Sequence, residues 1–240
     1  RDRSSAASDV YKRQQLLVML HGFISDSTTY DSHIEQLSQH VNVLTIDLPG
    51  HGKDTSDMND TWDFPYIAHA LDEVLSQYDM YDVYLLGYSM GGRVALYYAL
   101  NGSVALRGLL LESTSAGIQS EADKVERVQV DAARAKVLEI AGLEIFVNDW
   151  EKLPLFRSQY ELDAEVRKAI RANRMSQNPV RLAKALRDYG TGNMPNLWPH
   201  VSSLSVRTLI LTGEKDEKFV QIGQKLKEEI PNSHTVQVSD

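Results

Sequence analysis

The sequence predicts an α/β fold: a mostly parallel, doubly wound sheet with an inserted helical cap. Three observations carry that expectation. First, five short runs rich in Leu, Val and Ile, at 16–20, 43–46, 83–86, 109–111 and 208–211, mostly have Gly, Asp or Pro close by, as strands buried on both faces do. Second, residues 30–40, 65–78 and 90–100 space apolar side chains three and four apart, so helices alternate with the strands and cover both sheet faces. Third, the rhythm breaks over 115–195, where 122–141, 143–149, 162–175 and 179–189 are all helical in period and no strand-like run intervenes. That stretch reads as a cap inserted into a core made of 15–114 and 196–240.

At 240 residues, the chain is long enough to bury a sizeable core as one large domain with an insertion. A hydrophobic fraction of 42% and a charged fraction of 24% exclude overall disorder. The longest apolar runs, 16–20 and 94–100, fall far short of the roughly 18 residues of a membrane span, so no membrane partner is expected. A net charge of −8 without a basic stripe argues against nucleic acid. Cysteine is absent, which excludes disulfides, thiolate metal sites and a cysteine nucleophile. It also fits a reducing compartment, read here as the cytoplasm. No H-E-x-x-H pattern, phosphate loop or dinucleotide fingerprint is present, so neither metal nor cofactor is expected. Residues 1–14 have no apolar stretch and are no signal peptide; they read as a non-native or disordered leader. The ending directly after a strand-like segment at 235–239 reads as premature, because a doubly wound sheet normally closes with a helix.

The strongest chemical signal is Gly87-Tyr88-Ser89-Met90-Gly91-Gly92, which follows one strand-like run and opens a helical one. This is the G-x-S-x-G nucleophile elbow in its required context. The serine sits on a strained turn, and small residues two before and two after it let strand and helix approach closely. Ser89 is the candidate catalytic residue. The loop His21-Gly22-Phe23 and the residue after the nucleophile would donate the N–H groups of an oxyanion hole, which assigns Phe23 and Met90 through main-chain atoms. His21 itself reads as structural, and Asp47-Leu48-Pro49-Gly50-His51-Gly52 as a tight turn, because the acid and base of this arrangement follow the serine in the order Ser, Asp, His. After 208–211, Glu214, Asp216 and Glu217 compete for the triad carboxylate. Asp216 is favoured, since Gly213 opens the turn and Glu217 begins the next helix. Beyond it only His234 remains, at the N-terminal end of the last strand, whereas catalytic groups of open α/β sheets lie at carboxyl ends. The triad as written therefore lacks its base, and this polypeptide is expected to be nearly inactive.

The segments HGF, DLPGHG, GYSMGGR and LTGEKDEKF resemble the α/β-hydrolase superfamily. Asn148-Asp149-Trp150 before Leu153-Pro154-Leu155-Phe156, then Leu182-Ala183, Tyr189-Gly190-Thr191-Gly192 and Leu197-Trp198, narrow the resemblance. Together they resemble the 2-succinyl-6-hydroxy-2,4-cyclohexadiene-1-carboxylate synthase family of menaquinone biosynthesis, over nearly everything from Gln15 to Asp240. The resemblance implies an α/β-hydrolase fold and a cofactor-free carbon–oxygen lyase, with a triad-activated serine as base. The reaction it implies eliminates pyruvate from an enolpyruvyl cyclohexene carboxylate that also bears a succinyl group. It further implies a small polyanionic substrate held by Arg93, one helical turn after the elbow, and by Arg127 and Arg174 of the cap. Tyr88 and Trp150 match the family's aromatic pocket positions. In an acidic chain such a substrate needs local arginines to overcome the global field. Two departures stand out: the family's first pair of strands is replaced by the leader, and the family histidine after the last strand is absent. A monomer or small homo-oligomer is expected. A hydrolase of ester or carbon–carbon bonds and a base-less binding module remain the competing readings, since fold does not fix chemistry.

Overall fold

The first strand begins at Gln14, inside the segment expected to be leader, because Gln14 and Gln15 pair with Tyr81 and Asp82. The computed structural model describes residues 14–239, so the rest of the expected leader lies outside the described residues. Six strands form one sheet: β1 (Gln14–Leu20), β2 (Asn42–Ile46), β3 (Tyr81–Tyr88), β4 (Gly108–Glu112), β5 (Thr208–Gly213) and β6 (Ser233–Val238). Their order is β2-β1-β3-β4-β5-β6. Every pairing among the described residues is parallel. The five short apolar runs fall within β1 to β5, and the strands extend past them into flanking polar residues that composition does not mark.

Alternation along the strands sends Leu16, Val18, Leu20, Val83, Leu85, Leu109, Leu111 and Ile210 to one face. There they pack under α2 (Phe64–Leu75), α3 (Met90–Asn101) and α8 (Glu217–Glu229). Leu17, Met19 and Leu86 face the other way, with Tyr30 and Leu37, beneath α1 (Asp31–Ser38). The helices start where their caps dictate. Asp63 accepts from the Tyr66 N–H ahead of α2, whose second residue is Pro65, and Asp216 accepts from the Phe219 N–H ahead of α8.

Between β4 and β5 the chain is helical, as its period requires: α4 (Glu121–Ile140), α5 (Leu143–Trp150), a 3-10 stretch (Pro154–Glu161), α6 (Ala164–Met175) and α7 (Pro179–Tyr189). Its small core comprises Ala135, Leu138, Phe146, Val147, Leu182, Ala183 and Leu186, and Ile24 from the loop after β1 is buried among them. Polar ties also hold α6 and α7 to that side of the sheet. The Gln177 amide donates to Asp26 at 2.8 Å and accepts from the Gly52 N–H at 2.9 Å, and Arg181 pairs with Asp54 at 2.6 Å. Among the described residues no helix is long and apolar enough to cross a membrane.

Candidate active site

The site is built on the turn from β3 into α3. Ser89 sits there with φ 52° and ψ −107°, a conformation that L-residues avoid. Two hydrogen bonds pin it: its N–H donates to the Glu112 carbonyl at 2.9 Å, and its carbonyl accepts from the Thr114 hydroxyl at 2.7 Å. The flanking glycines are obligatory. A Cβ on Gly87 would lie 2.2 Å from the Gly91 carbonyl oxygen, and one on Gly91 would lie 2.3 Å from that of Leu20. Strand and helix meet backbone to backbone, as the elbow motif demands.

Met90 is the first residue of α3, so its N–H has no acceptor within the helix and points out of the positive end of the helix dipole. Phe23 lies in the loop after β1. The next residue, Ile24, is held at φ 57° although it is β-branched, and burial in the insertion's core keeps it there. His21 is structural: its Nε2 accepts from the Leu48 N–H at 2.9 Å, and its Nδ1 lies 2.8 Å from the Gly22 carbonyl. Asp47 and His51 build the turn expected of them. Asp47 accepts from the Ser27 and Lys53 N–H groups, and the His51 Nδ1 lies 3.1 Å from the Pro49 carbonyl.

Of the three acids after β5, Glu214 and Glu217 are exposed, while Asp216 is half-buried. Asp216 also acts on Tyr88. Burial pushes the Tyr88 hydroxyl above its ordinary pKa, the Glu112 and Asp216 carboxylates add to that push, and the Arg174 guanidinium opposes it. Tyr88, Arg174 and Asp216 therefore share one electrostatic neighbourhood beside Ser89. His234 does not. It pairs with Leu209, which pairs with Leu110, which pairs with Leu86, so it stands level with Leu86 and three strands away, about 14 Å at ordinary strand spacing.

The insertion brings aromatic and cationic groups to the same side. Phe23 makes edge contacts with His51 and with Trp150 at 5.4 and 5.3 Å, and Trp150 stacks on Phe146 at 5.5 Å. The Trp150 indole N–H is buried without a hydrogen-bond partner among the described residues. Arg93 projects from α3, and among the described residues its one side-chain hydrogen bond is the 3.4 Å contact from Nη1 to the Tyr189 carbonyl; burial, then repulsion from Arg127, lowers its pKa to about 10, with Asp131 opposing the shift. Arg127 is held through Nε by Asp131 at 2.9 Å. Arg174, by contrast, is engaged within the insertion. Its guanidinium donates to Glu151 at 3.1 Å and to Gln159 at 2.9 Å, and it lies over the Phe156 ring.

Sequence reasoning did not single out Glu151, Gln159, Asp131 or Arg134 as functional. The spacing of Arg127, Asp131 and Arg134, at i, i+4 and i+7 on one helix face, was the available signal for the last two. Nothing local marks Glu151 as the partner of Arg174, 23 residues later.

The model of the alpha/beta hydrolase fold family matches residues 15–240. A putative 2-succinyl-6-hydroxy-2,4-cyclohexadiene-1-carboxylate synthase from Bacillus subtilis (strain 168) is 33% identical over 232 residues, 96% of this chain and 84% of the relative. The corresponding synthase from Salmonella agona (strain SL483) is 34% identical over 210 residues, covering 88% of this chain and 81% of its own. The solved structure of MenH from S. aureus superposes with a TM-score of 0.94 at 59% identity, covering 95% of this chain and 86% of that one. By the elbow, the insertion and these matches, the chain belongs to the 2-succinyl-6-hydroxy-2,4-cyclohexadiene-1-carboxylate synthase family of the α/β hydrolase fold.

Proposed function

We propose that the protein is the lyase of menaquinone biosynthesis that eliminates pyruvate from 2-succinyl-5-enolpyruvyl-6-hydroxy-3-cyclohexene-1-carboxylate. One observation carries the choice over a simple ester hydrolase. A half-buried guanidinium, Arg93, stands one helical turn from the elbow serine, and its one hydrogen bond among the described residues is a long one to the Tyr189 carbonyl. A neutral ester would leave that charge desolvated and unanswered, whereas a polyanionic substrate answers it.

The chemistry follows from the bonds involved. The ring proton at C2 is acidified by the succinyl ketone attached there. Ser89, its own proton taken by a triad histidine of the kind the resemblance implies, removes the ring proton as base; electrons pass through the C3–C4 double bond and expel the enolpyruvyl oxygen from C5 as an enolate, which regains a proton to give pyruvate and leaves a 2,4-diene. The negative charge that gathers on the ketone oxygen meets the Phe23 and Met90 N–H groups, and one such donor is worth on the order of a hundred-fold or more in rate. Asp216 is the acid of the triad, whose work is to orient an imidazolium. Arg93 and Arg127 take substrate carboxylates, and Arg174 supplies positive field at Tyr88. Tyr88 and Trp150 line the pocket, the latter with an indole N–H free for an acceptor. Residues 115–195 act as the cap over the core of 15–114 and 196–240. The protein works in the cytoplasm on a small anionic substrate, as a monomer or small homo-oligomer.

The test is release of pyruvate from the cyclohexene substrate, followed by coupling to NADH oxidation. In protein that carries a triad histidine as well as Ser89 and Asp216, the expected result is turnover that Ser89→Ala abolishes. A burst of acylation at Ser89 by a simple ester, with no pyruvate from the cyclohexene, would overturn the reading.

A further inference from the structure

Asp131 is a carboxylate of α4, 2% exposed. One of its oxygens accepts from Arg127 Nε at 2.9 Å, with Arg134 Nη1 3.9 Å away; the other accepts from the Gly192 N–H at 3.2 Å. The Gly190-Thr191-Gly192 turn after α7 is shaped for this contact. A Cβ on Gly190 would lie 2.7 Å from the Asp131 carboxylate, and one on Gly192 would lie 2.6 Å from the Val128 nitrogen. The residue before the turn, Tyr189, gives its carbonyl to Arg93. A single four-residue segment therefore touches both the carboxylate that grips Arg127 and the guanidinium of Arg93.

A guanidinium offers five N–H donors in a rigid fork. Holding Arg127 by Nε alone leaves both of its Nη groups without a hydrogen bond among the described residues, and those are the groups that pair with a carboxylate in bidentate fashion. Three arginines, Arg93, Arg127 and Arg134, surround one buried acid, so the cluster carries an excess of two positive charges. Arg134 is occupied as well, with its guanidinium 5.3 Å over the Trp150 ring. Arg93 and Arg127 are the two left to receive an anion.

We infer that Asp131 is a positioning residue: anchored on the Gly192 N–H, it grips Arg127 through Nε so that Arg127 and Arg93 present one forked cradle to a substrate carboxylate. The inference rests on the lyase reading for the identity of the anion, and deepens it by naming what aims the arginines.

The experiment is calorimetric titration of the full-length protein with 2-succinylbenzoate, a stable aromatic dianion carrying the same ring carboxylate and succinyl arms. Positioning and simple charge predict opposite signs. Removing a negative charge by Asp131→Asn tightens anion binding if only the field matters. If Asp131 aims Arg127, the same change weakens binding about ten-fold, the scale of one charged hydrogen-bonding group. The weakening also disappears in an Arg127→Gln background, because Asp131 acts through that side chain. Unchanged or tighter binding by Asp131→Asn overturns the inference, and so does an equal loss in the Arg127→Gln background. Should Asp131→Asn not fold, Arg127→Lys decides: lysine keeps the ion pair but has no fork, so binding falls about ten-fold, and unaltered binding overturns the inference. Dianion binding that depends on Asp131, in protein that carries a triad histidine and still releases no pyruvate, supports the cradle and retires the lyase reading alone.

Discussion

Ser89 concentrates two opposed demands in one residue. Chemistry needs a hydroxyl at the tip of the turn; the backbone at φ 52° would be relaxed only by glycine. Replacement by alanine keeps the strain and removes the proposed base, so in protein carrying a triad histidine pyruvate release should drop at least about a thousand-fold, with unfolding midpoints little changed. Replacement by glycine should do the same to activity while stabilising the fold by about 1 kcal/mol, read as a higher urea midpoint at constant slope. A lower midpoint for Ser89→Gly would show that the turn is not strained. Gly87 makes the converse case. An added methyl there must displace the Gly91 backbone, so Gly87→Ala should cost roughly 3 kcal/mol and spoil the elbow for catalysis. Both glycines and the serine are plain in the sequence because the motif is local, fixed by a turn of a few residues.

At the scale of elements, the helical insertion is held to the sheet by two kinds of contact. Around Ile24, Phe23 and Trp150 the junction is apolar and aromatic. Around α6 and α7 it is polar, with Gln177 bridging Asp26 and the Gly52 N–H. Gln177→Ala leaves a carboxylate oxygen and a backbone donor without this partner, which should cost about 2 kcal/mol and speed amide hydrogen exchange in α6 and α7 ahead of the central strands. Exchange rates in those helices unaltered by the mutation would assign the docking to the apolar contacts alone. The four insertion helices are legible from their period, and the 3-10 stretch Pro154–Glu161 is not, because tertiary contacts shape it. Arg174 shows the same limit: the sequence presents an arginine in a charged helix, and only folding brings Glu151 and Gln159 onto its guanidinium.

The molecule as a whole carries buried histidines that must stay neutral. Burial, then the neighbouring His21, depresses His51 from its ordinary value of 6.5 to about 3. His21 is lowered as well, chiefly by burial. The unfolded chain therefore binds protons that the folded one refuses. The folded state has its full advantage above pH 6.5 and loses it progressively as pH falls toward about 3. Within that window His51 alone should reduce stability by about 1.4 kcal/mol per pH unit. Urea melts between pH 6 and pH 4 should fall more steeply for the wild type than for His51→Asn. Parallel profiles would mean that the imidazole finds a proton in the folded state.

The sequence by itself determined the alternation of strand and helix, the inserted helical segment and the serine elbow. These are properties of local period, turn chemistry and spacing, each expressed within a dozen or so residues. The proposal of Asp216 among three neighbouring acids rests on local chain logic as well, as does setting His234 aside. Only the tertiary structure decided the strand order, which needs crossovers that no local pattern records. It alone paired Arg174 with Glu151, and it alone set Asp131 and the Gly190-Thr191-Gly192 turn beside Arg93 and Arg127. The physical reason is range. A hydrogen bond between residues 61 or 96 positions apart depends on how helices dock, and docking is settled by the packing of the whole core.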